Sequence, residues 1–392
     1  MLQRIVPVLL LFVLGDIYFY QAVVTLTASP LIHNLYWFID ILVLVSILSI
    51  VFLRKVVDIQ HYVTGIITAL LLVILPKVFS FPLLLLEDFT RIFRGFPSRS
   101  ILLSEIVVGL AVLMFLLIVF GLTKGRHFYQ VRKETLYFSD LPKAFDGFTI
   151  TQLSDIHAGS LTNKKAVQRG IDLANAQQSD LLLFTGDMVN YTATEVDPWI
   201  KSLSLLKAPF GKFSILGNHD YGDYSRWDNT LQKEANLKRL KEAHAEMDFT
   251  LLLNDSVTLT HKGERISLIG VENWGKGGFH QYGDLNKATA NVDKSMFKIL
   301  MSHDPSHWDE VAVDHPQHMH LTLSGHTHGM QFGIELFGFK WSPIQYFYKQ
   351  WAGLYERTGK YLYVNRGFGF HGLKGRVGVW PEITVLTLKT KA

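Results

Sequence analysis

Five short polar clusters punctuate the second half of the chain: Asp155-Ile156-His157, Gly186-Asp187, Gly217-Asn218-His219-Asp220, Ser302-His303-Asp304 and Gly325-His326-Thr327-His328. Carboxylate, amide oxygen and imidazole without thiolate are ligands for hard or borderline divalent ions such as Mn, Fe or Zn. Each cluster follows a short apolar run, which predicts a strand running out into a loop, where open α/β sheets hold their chemistry. Side chains two apart on an extended strand point the same way, so Asp155 and His157 can serve one ion together. Any one cluster alone reads as well as a turn or a helix cap. Met in order across one domain, the five read as a dinuclear metal site.

The elements that must position them follow from the pattern. Apolar runs at 148–153, 181–184 and 213–216 predict strands that each end at a cluster. Between them, Thr162 caps one helical pattern and a second spans 195–206. Further strands are predicted at 266–271, 297–301, 321–323, 361–364 and 383–388. This is an α/β domain, a two-sheet sandwich flanked by helices, whose packing brings the loops to one rim. The charged stretch 223–248 reads as a helical surface insertion. His244, His261, His280, His307, His315, His318 and His320 lack cluster context and read as surface or core histidines.

The apolar fraction, 48% against 18% charged, is high for a soluble enzyme, and the excess lies almost wholly before Gly121. Four apolar stretches, 5–26, 35–53, 62–81 and 101–122, each approach the ~20 residues of a bilayer-spanning helix. The third carries Pro76, which should kink it, and Lys77, read as snorkelling. The chain therefore divides into an all-α bundle of about four transmembrane helices (1–123), a linker and first strand (124–145) and a catalytic domain (146–392). Asp16, Asp40 and Glu105 within the bundle read as helix ends and interhelix hydrogen bonds rather than an ion path. Arg4, Arg54, Lys55, Lys124, Arg126, Arg132 and Lys133 fall on one side. Arg91, Arg94 and Arg99, diluted by Glu87 and Asp88, fall on the other. The positive-inside rule puts both termini in the cytoplasm. The loop 87–99 reads also as an interfacial amphipathic segment. A scattered net charge of +4 gives no nucleic-acid footprint, and zero Cys excludes disulfides, thiolate sites and Cys nucleophiles. Oligomeric state leaves no signal.

The cluster series resembles the calcineurin-like metallophosphoesterase superfamily over residues 133–389. Gly325-His326-Thr327-His328-Gly329-Met330-Gln331, Ala352-Gly353-Leu354-Tyr355, Asn365-Arg366-Gly367-Phe368-Gly369 and Pro381-Glu382-Ile383 resemble a membrane-associated bacterial branch that includes UDP-diacylglucosamine hydrolases. The resemblance implies two divalent cations (Mn, Fe or Zn, with Mn favoured). Asp155, His157 and His328 would hold the first, and Asn218, His303 and His326 the second, with Asp187 bridging. It implies a bridging hydroxide as nucleophile. His219 would donate to a phosphoryl oxygen or protonate the leaving oxygen, and Asp220 would orient it. Met330 and the pair Glu272-Asn273 depart from the family pattern at positions that bear on the substrate pocket. Arg366 has two readings of equal weight, a grip on a substrate phosphate or carboxylate and a structural role. The aromatic stretch 332–351 reads either as a hydrophobic rim dipping into the bilayer or as a long loop packed over the core.

The expected activity is that of a membrane-anchored metal-dependent phosphoesterase, a hydrolase cleaving a phosphodiester or pyrophosphate bond. Its expected substrate is a lipid or nucleotide-linked lipid such as UDP-diacylglucosamine. The alternatives are a tethered phosphomonoesterase or nucleotide phosphatase, and a catalytically inactive binding module, which predicts eroded ligands. The expected location is the bacterial cell membrane, multi-pass, with the catalytic domain in the cytoplasm.

Overall fold

The computed structural model describes residues 2–53 and 59–391. Arg54 and Lys55 of the charge count lie outside the described residues, as does the side chain of Arg4. The chain divides into two compact units, Met1–Thr123 with Gly372–Lys374, and Lys124–His371 with Gly375–Ala392.

The first unit is helical: α1 (Leu2–Leu26), α2 (Pro30–Leu53), α3 (Ile59–Ser80), α4 (Pro82–Ile92) and α5 (Ile101–Thr123). Among the described residues, 30–49, 64–92 and 101–123 are long and apolar enough to cross a membrane, and 13–26 is a shorter apolar helix. Pro76 does not end α3, which runs on to Ser80. Lys77 does not snorkel. Its ammonium is held by Asp16 at 2.5 Å and Asp40 at 2.6 Å, and Tyr36 donates to Asp16 at 2.7 Å. These are the interhelix bonds expected of Asp16 and Asp40. In hydrocarbon, where water cannot solvate a charge, a cation shared by two carboxylates ties three helices together. The region beyond Glu87 is helical to Ile92 rather than a loop, and Arg99 pairs with both Glu87 and Asp88.

The second unit holds the strands β1 (Gln130–Phe138), β2 (Thr149–Leu153), β3 (Leu181–Phe184), β4 (Lys212–Ser214), β5 (Thr250–Leu251), β6 (Asp255–His261), β7 (Glu264–Gly270), β8 (Phe297–Met301), β9 (Leu321–Ser324), β10 (Ile334–Leu336), β11 (Phe339–Trp341), β12 (Gly353–Arg357), β13 (Lys360–Val364) and β14 (Glu382–Thr390). One six-stranded sheet has the order β1-β14-β2-β3-β4-β5, the other β12-β13-β9-β8-β7-β6, and β10-β11 is a separate hairpin. In the first, β2, β3 and β4 run parallel; in the second, β7, β8, β9 and β13 do. Strand alternation sorts the apolar side chains into layers. Leu181 and Leu183 of β3 join Phe297 and Ile299 of β8 in the core between the sheets. Leu182 and Phe184 face outward to helices α6 (Lys164–Asn175) and α8 (Thr230–Glu246). Leu300 and Leu362 form a third core with Trp308 on the far side of the second sheet. The sandwich flanked by helices is thus built as its sequence predicts.

Details differ. The cap of α6 is Asn163, whose side chain accepts from Ala166 N at 3.0 Å, rather than Thr162. The pattern at 195–206 yields only short turns and α7 (Ile200–Leu203), since Asp197-Pro198 interrupts it. The charged stretch 223–248 is anchored, with Leu240, Ala243 and His244 of α8 buried on the first sheet. A further short helix is α9 (Leu285–Thr289).

Candidate metal centre

Strands β2, β3, β8 and β9 each end two or three residues before a ligand-capable side chain, so their C-terminal edges converge on one site. The backbone there is unusual. Asp155, His157, Asp187, His326 and His328 all have φ between 47° and 70°, the left-handed region that non-glycine residues seldom occupy. Such outliers persist only where surrounding structure over-determines them. Here the loops lock each other: Asp155 N donates to Gly186 O, His157 N to Asp187 O, His326 N to Asp155 Oδ1 and His219 N to Asp187 Oδ1, at 2.9–3.1 Å. The close approach explains two glycines. A Cβ on Gly325 would strike Ser154 Oγ and Asp155 Oδ2, and one on Gly217 would strike Asp187 Oδ1.

The side chains gather in overlapping groups. Ligand atoms of Asp155, His157 and His328 lie within 4.8 Å of one another, and so do those of Asp187, His303 and His326. Asp187 Oδ2 reaches between the groups, 3.1 Å from His303 Nε2 and 3.6 Å from His157 Nε2. The two rings His157 and His328 turn Nε2 toward each other at 3.0 Å, and His328 Nε2 is 3.1 Å from Asp155 Oδ1. Asn218 Oδ1 and His326 Nδ1 meet at 2.8 Å. All seven predicted ligands therefore stand together, most of them fully buried.

These residues fit a pair of cations. His303 Nδ1 is 2.7 Å from the Thr185 carbonyl, which can only accept, so Nδ1 carries a proton and Nε2, aimed at the Asp187 carboxylate, is the nitrogen that a cation would take in place of its own proton. Burial alone would lower the His303 pKa, but Asp187 outweighs it and pushes it up to about 10. Burial raises the Asp187 carboxyl, and His303 and His219 more than reverse it, holding it well below the usual carboxylate range. His157, by contrast, is kept neutral by burial. A centre of buried carboxylates in which His157 is neutral and His303 takes up a proton to meet Asp187 is one that asks for positive charge.

His219 stands beside the centre, half-buried, with Nδ1 on the carbonyl of Asn190 at 2.8 Å, which leaves Nε2 free. Asp220 does not orient it. Its buried carboxylate accepts from the backbone N–H groups of Gly217, Asp187, Met188 and Val189 at 2.8–3.2 Å, tying the loops after β3 and β4 together. Arg366 takes its structural reading: it is buried, with Nε bound to Glu335 at 2.6 Å and Nη1 to Glu382 at 2.5 Å. Glu272 binds Asn254 and Tyr221, and Asn273 binds His280, so this departure braces loops. Met330 is exposed at the rim.

Sequence reasoning missed two neighbours. The His371 ring stacks on His157 at 4.8 Å and meets His219 at 4.4 Å, close enough for these three rings to form a further ligand group. Burial and the nearby His219 push its pKa down to about 3. Tyr348 touches His326 Nε2 through its hydroxyl at 2.9 Å. The only hint of His371 was its place in the glycine-rich run after Arg366.

The profile of the family described as "Calcineurin-like phosphoesterase" matches residues 148–330, the segment that carries every cluster above. A second, described as "Probable Calcineurin-like phosphoesterase, transmembrane domain", matches residues 2–126. The metallophosphoesterase YkuE of Bacillus subtilis is 33% identical over 267 residues, 67% of this chain and 87% of that protein. The chain belongs to the calcineurin-like phosphoesterase family. A metallophosphoesterase of Campylobacter jejuni, Cj0846, is 26% identical over 98% of this chain and 97% of its own length. A Danio rerio transmembrane protein with metallophosphoesterase domain is 25% identical over 71% of this chain and 61% of its own length. This family member is a membrane-associated metallophosphoesterase, a hydrolase whose family uses divalent metals.

Proposed function

We propose that residues 146–392 cleave a phosphodiester or pyrophosphate bond with two divalent cations, Mn favoured. Asp155, His157 and His328 hold one cation, Asn218, His303 and His326 hold the other, and Asp187 is shared. The observation that carries this reading is Asp187 Oδ2 standing 3.1 Å from His303 Nε2 and 3.6 Å from His157 Nε2, one from each group. Bound there, divalent cations supply Lewis acidity toward phosphoryl oxygens and acidify water.

The protein's own contribution is position and a proton. Asp155, Asp187 and the histidines hold fixed orientations through the loop-to-loop hydrogen bonds, so little reorganisation accompanies reaction. His219, braced at Nδ1 by the Asn190 carbonyl, directs Nε2 toward the site. As water adds to phosphorus and the bond to the leaving oxygen breaks, a proton carried on Nε2 passes to that oxygen, the ring being reprotonated by the proton the water sheds, or stays on Nε2 as a hydrogen bond to the phosphoryl group. No Ser or Cys nucleophile is needed.

The substrate is read as a lipid or nucleotide-linked lipid phosphoester, supported by the fused membrane unit. The test is hydrolysis of bis-p-nitrophenyl phosphate against p-nitrophenyl phosphate by the full chain with Mn, followed by phospholipid diesters. Turnover of the monoester alone would replace this reading with a tethered phosphomonoesterase. The inactive-module alternative is disfavoured, because all seven ligand positions and His219 are intact. The excess of basic residues on the side of the termini supports a cytoplasmic domain, and a reporter fused after Ala392 that signals outside the cytoplasm would reverse that side.

A further inference from the structure

The hairpin β10–β11 is inside out. Its register pairs Ile334 with Trp341, Glu335 with Lys340 and Leu336 with Phe339. Alternation places Ile334, Leu336, Phe339 and Trp341 on one face and the Glu335–Lys340 pair on the other. In a water-facing hairpin the charged pair would point out and the apolar face would pack on the domain. Here the charged face points in: Glu335 is bound by Arg366 and by Arg132, and Lys340 reaches the Ala352 carbonyl. The apolar face is left uncovered, Leu336 at 59% and Phe339 at 61% exposed. The turn is Phe337-Gly338, with φ of 50° and 82°, and Phe337 at its tip is 98% exposed. Asn or Asp is the usual residue at such a left-handed turn position, so a phenylalanine there is costly twice over, in backbone strain and in exposure. The adjoining turn adds Tyr346 and Phe347, both about three-quarters exposed.

The occupant of this surface is identified by the chain itself. The apolar helix α5 ends at Thr123, and Arg132, only nine residues on, is the side chain that grips Glu335. Nine extended residues reach at most about 32 Å. The base of the hairpin is thus leashed to the residue where the chain leaves the bilayer, within range of the lipid headgroups. Aromatic rings with a flanking lysine are the side chains that favour that interface.

We infer that the β10–β11 hairpin, with Phe337 at its tip and Tyr346 and Phe347 beside it, inserts into the lipid headgroup region as a second membrane contact of the phosphoesterase domain. This does not depend on the metal-ligand assignments. Because the hairpin begins six residues after His328 and its following turn ends at Tyr348, bonded to His326, it would set the mouth of the site at the bilayer surface.

The chain has no cysteine, so Phe337→Cys and, as a water-facing control on α8, Leu231→Cys each give a single labelling site in the full-length protein. Each is spin-labelled in phosphatidylcholine–phosphatidylglycerol vesicles, and power saturation is read with oxygen and with a nickel chelate. The expected result is a label at 337 open to oxygen and at least several-fold less open to nickel than the label at 231, with Phe347→Cys behaving likewise. Equal nickel access at 337 and 231 would overturn the inference in favour of a solvent-facing hairpin. Protection from both reagents would overturn it in favour of a protein cover, and spin–spin broadening would identify that cover as a second copy.

Discussion

His303 presents Nε2 to the Asp187 carboxylate at 3.1 Å while its Nδ1 donates to the Thr185 carbonyl at 2.7 Å. With Nδ1 fixed as a donor, Nε2 is the one nitrogen the ring has to offer a cation, which would displace its proton and lie between it and Asp187. Asp187 in turn accepts from His219 N and reaches toward His157. Asp187→Asn keeps the shape and removes the charge both groups share. Metal content, read by plasma mass spectrometry, is expected to fall from two ions per chain to one or fewer. Turnover should drop by more than the ~10²-fold that loss of an outer hydrogen-bond partner costs. Unchanged occupancy and turnover would refute the shared-carboxylate reading.

His219 touches the centre without belonging to either ligand group around Asp155 or Asp187. His219→Ala is therefore expected to retain both ions and lose about 10²–10⁴-fold in kcat. If the side chain protonates the leaving oxygen, the loss is large on an alkyl phosphodiester and small on a p-nitrophenyl one, whose leaving group needs no proton. Equal losses on both would assign it to the phosphoryl oxygen instead.

What could be read from the sequence was what is local. Each ligand cluster is contiguous, sits at the end of an apolar run and needs no knowledge of the partner strand, so Asp155, Asp187 and His303 could be placed on strand ends from spacing alone. Pairings across long separations could not. The Arg366–Glu335 and Arg366–Glu382 bonds join segments that share no pattern, and an arginine in a glycine-rich loop looks the same whether it meets a ligand or two buried carboxylates. Asp220 follows His219 in sequence, which favours an orienting role, yet the tight turn sends its carboxylate to four backbone N–H groups. His371 had only a glycine-rich neighbourhood to mark it, because its contacts with His157 and His219 are made of ring stacking rather than spacing. The inverted polarity of the hairpin was hidden for the same reason: alternation fixes which residues share a face but not which face meets the domain.

Lys77 is shared between Asp16 and Asp40 among the transmembrane helices at 2.5 and 2.6 Å. Removing one member of such a buried group leaves charge uncompensated, typically at a cost of about 3–5 kcal/mol. Lys77→Met is expected to lower the unfolding temperature of the detergent-solubilised protein markedly. Lys77→Met combined with Asp16→Asn and Asp40→Asn, which removes every charge, should recover most of the loss. A triple variant no more stable than Lys77→Met would show that the bonds, rather than the unbalanced charge, matter.

His244 supplies a pH dependence away from the metal centre. It is fully buried on α8 beside Phe184 and Phe249, its Nδ1 within 3.0 Å of Ser214 Oγ, and burial pushes its pKa down to about 4. The unfolded chain restores an ordinary histidine near 6.5. A depressed folded-state pKa means that the unfolded state binds the proton first. The stabilisation is thus fully present above pH ~6.5 and is lost as pH falls from there toward 4, by up to about 3 kcal/mol. The unfolding temperature of the full chain should accordingly decline between pH 7 and pH 4.5. His244→Leu keeps an apolar side chain of similar bulk, although it gives up the Ser214 bond, and should show a shallower decline even if its stability at pH 7 is lower. An identical slope in the two proteins would assign the acid sensitivity to other groups, the first to test being His320, which is likewise held near 4 by burial.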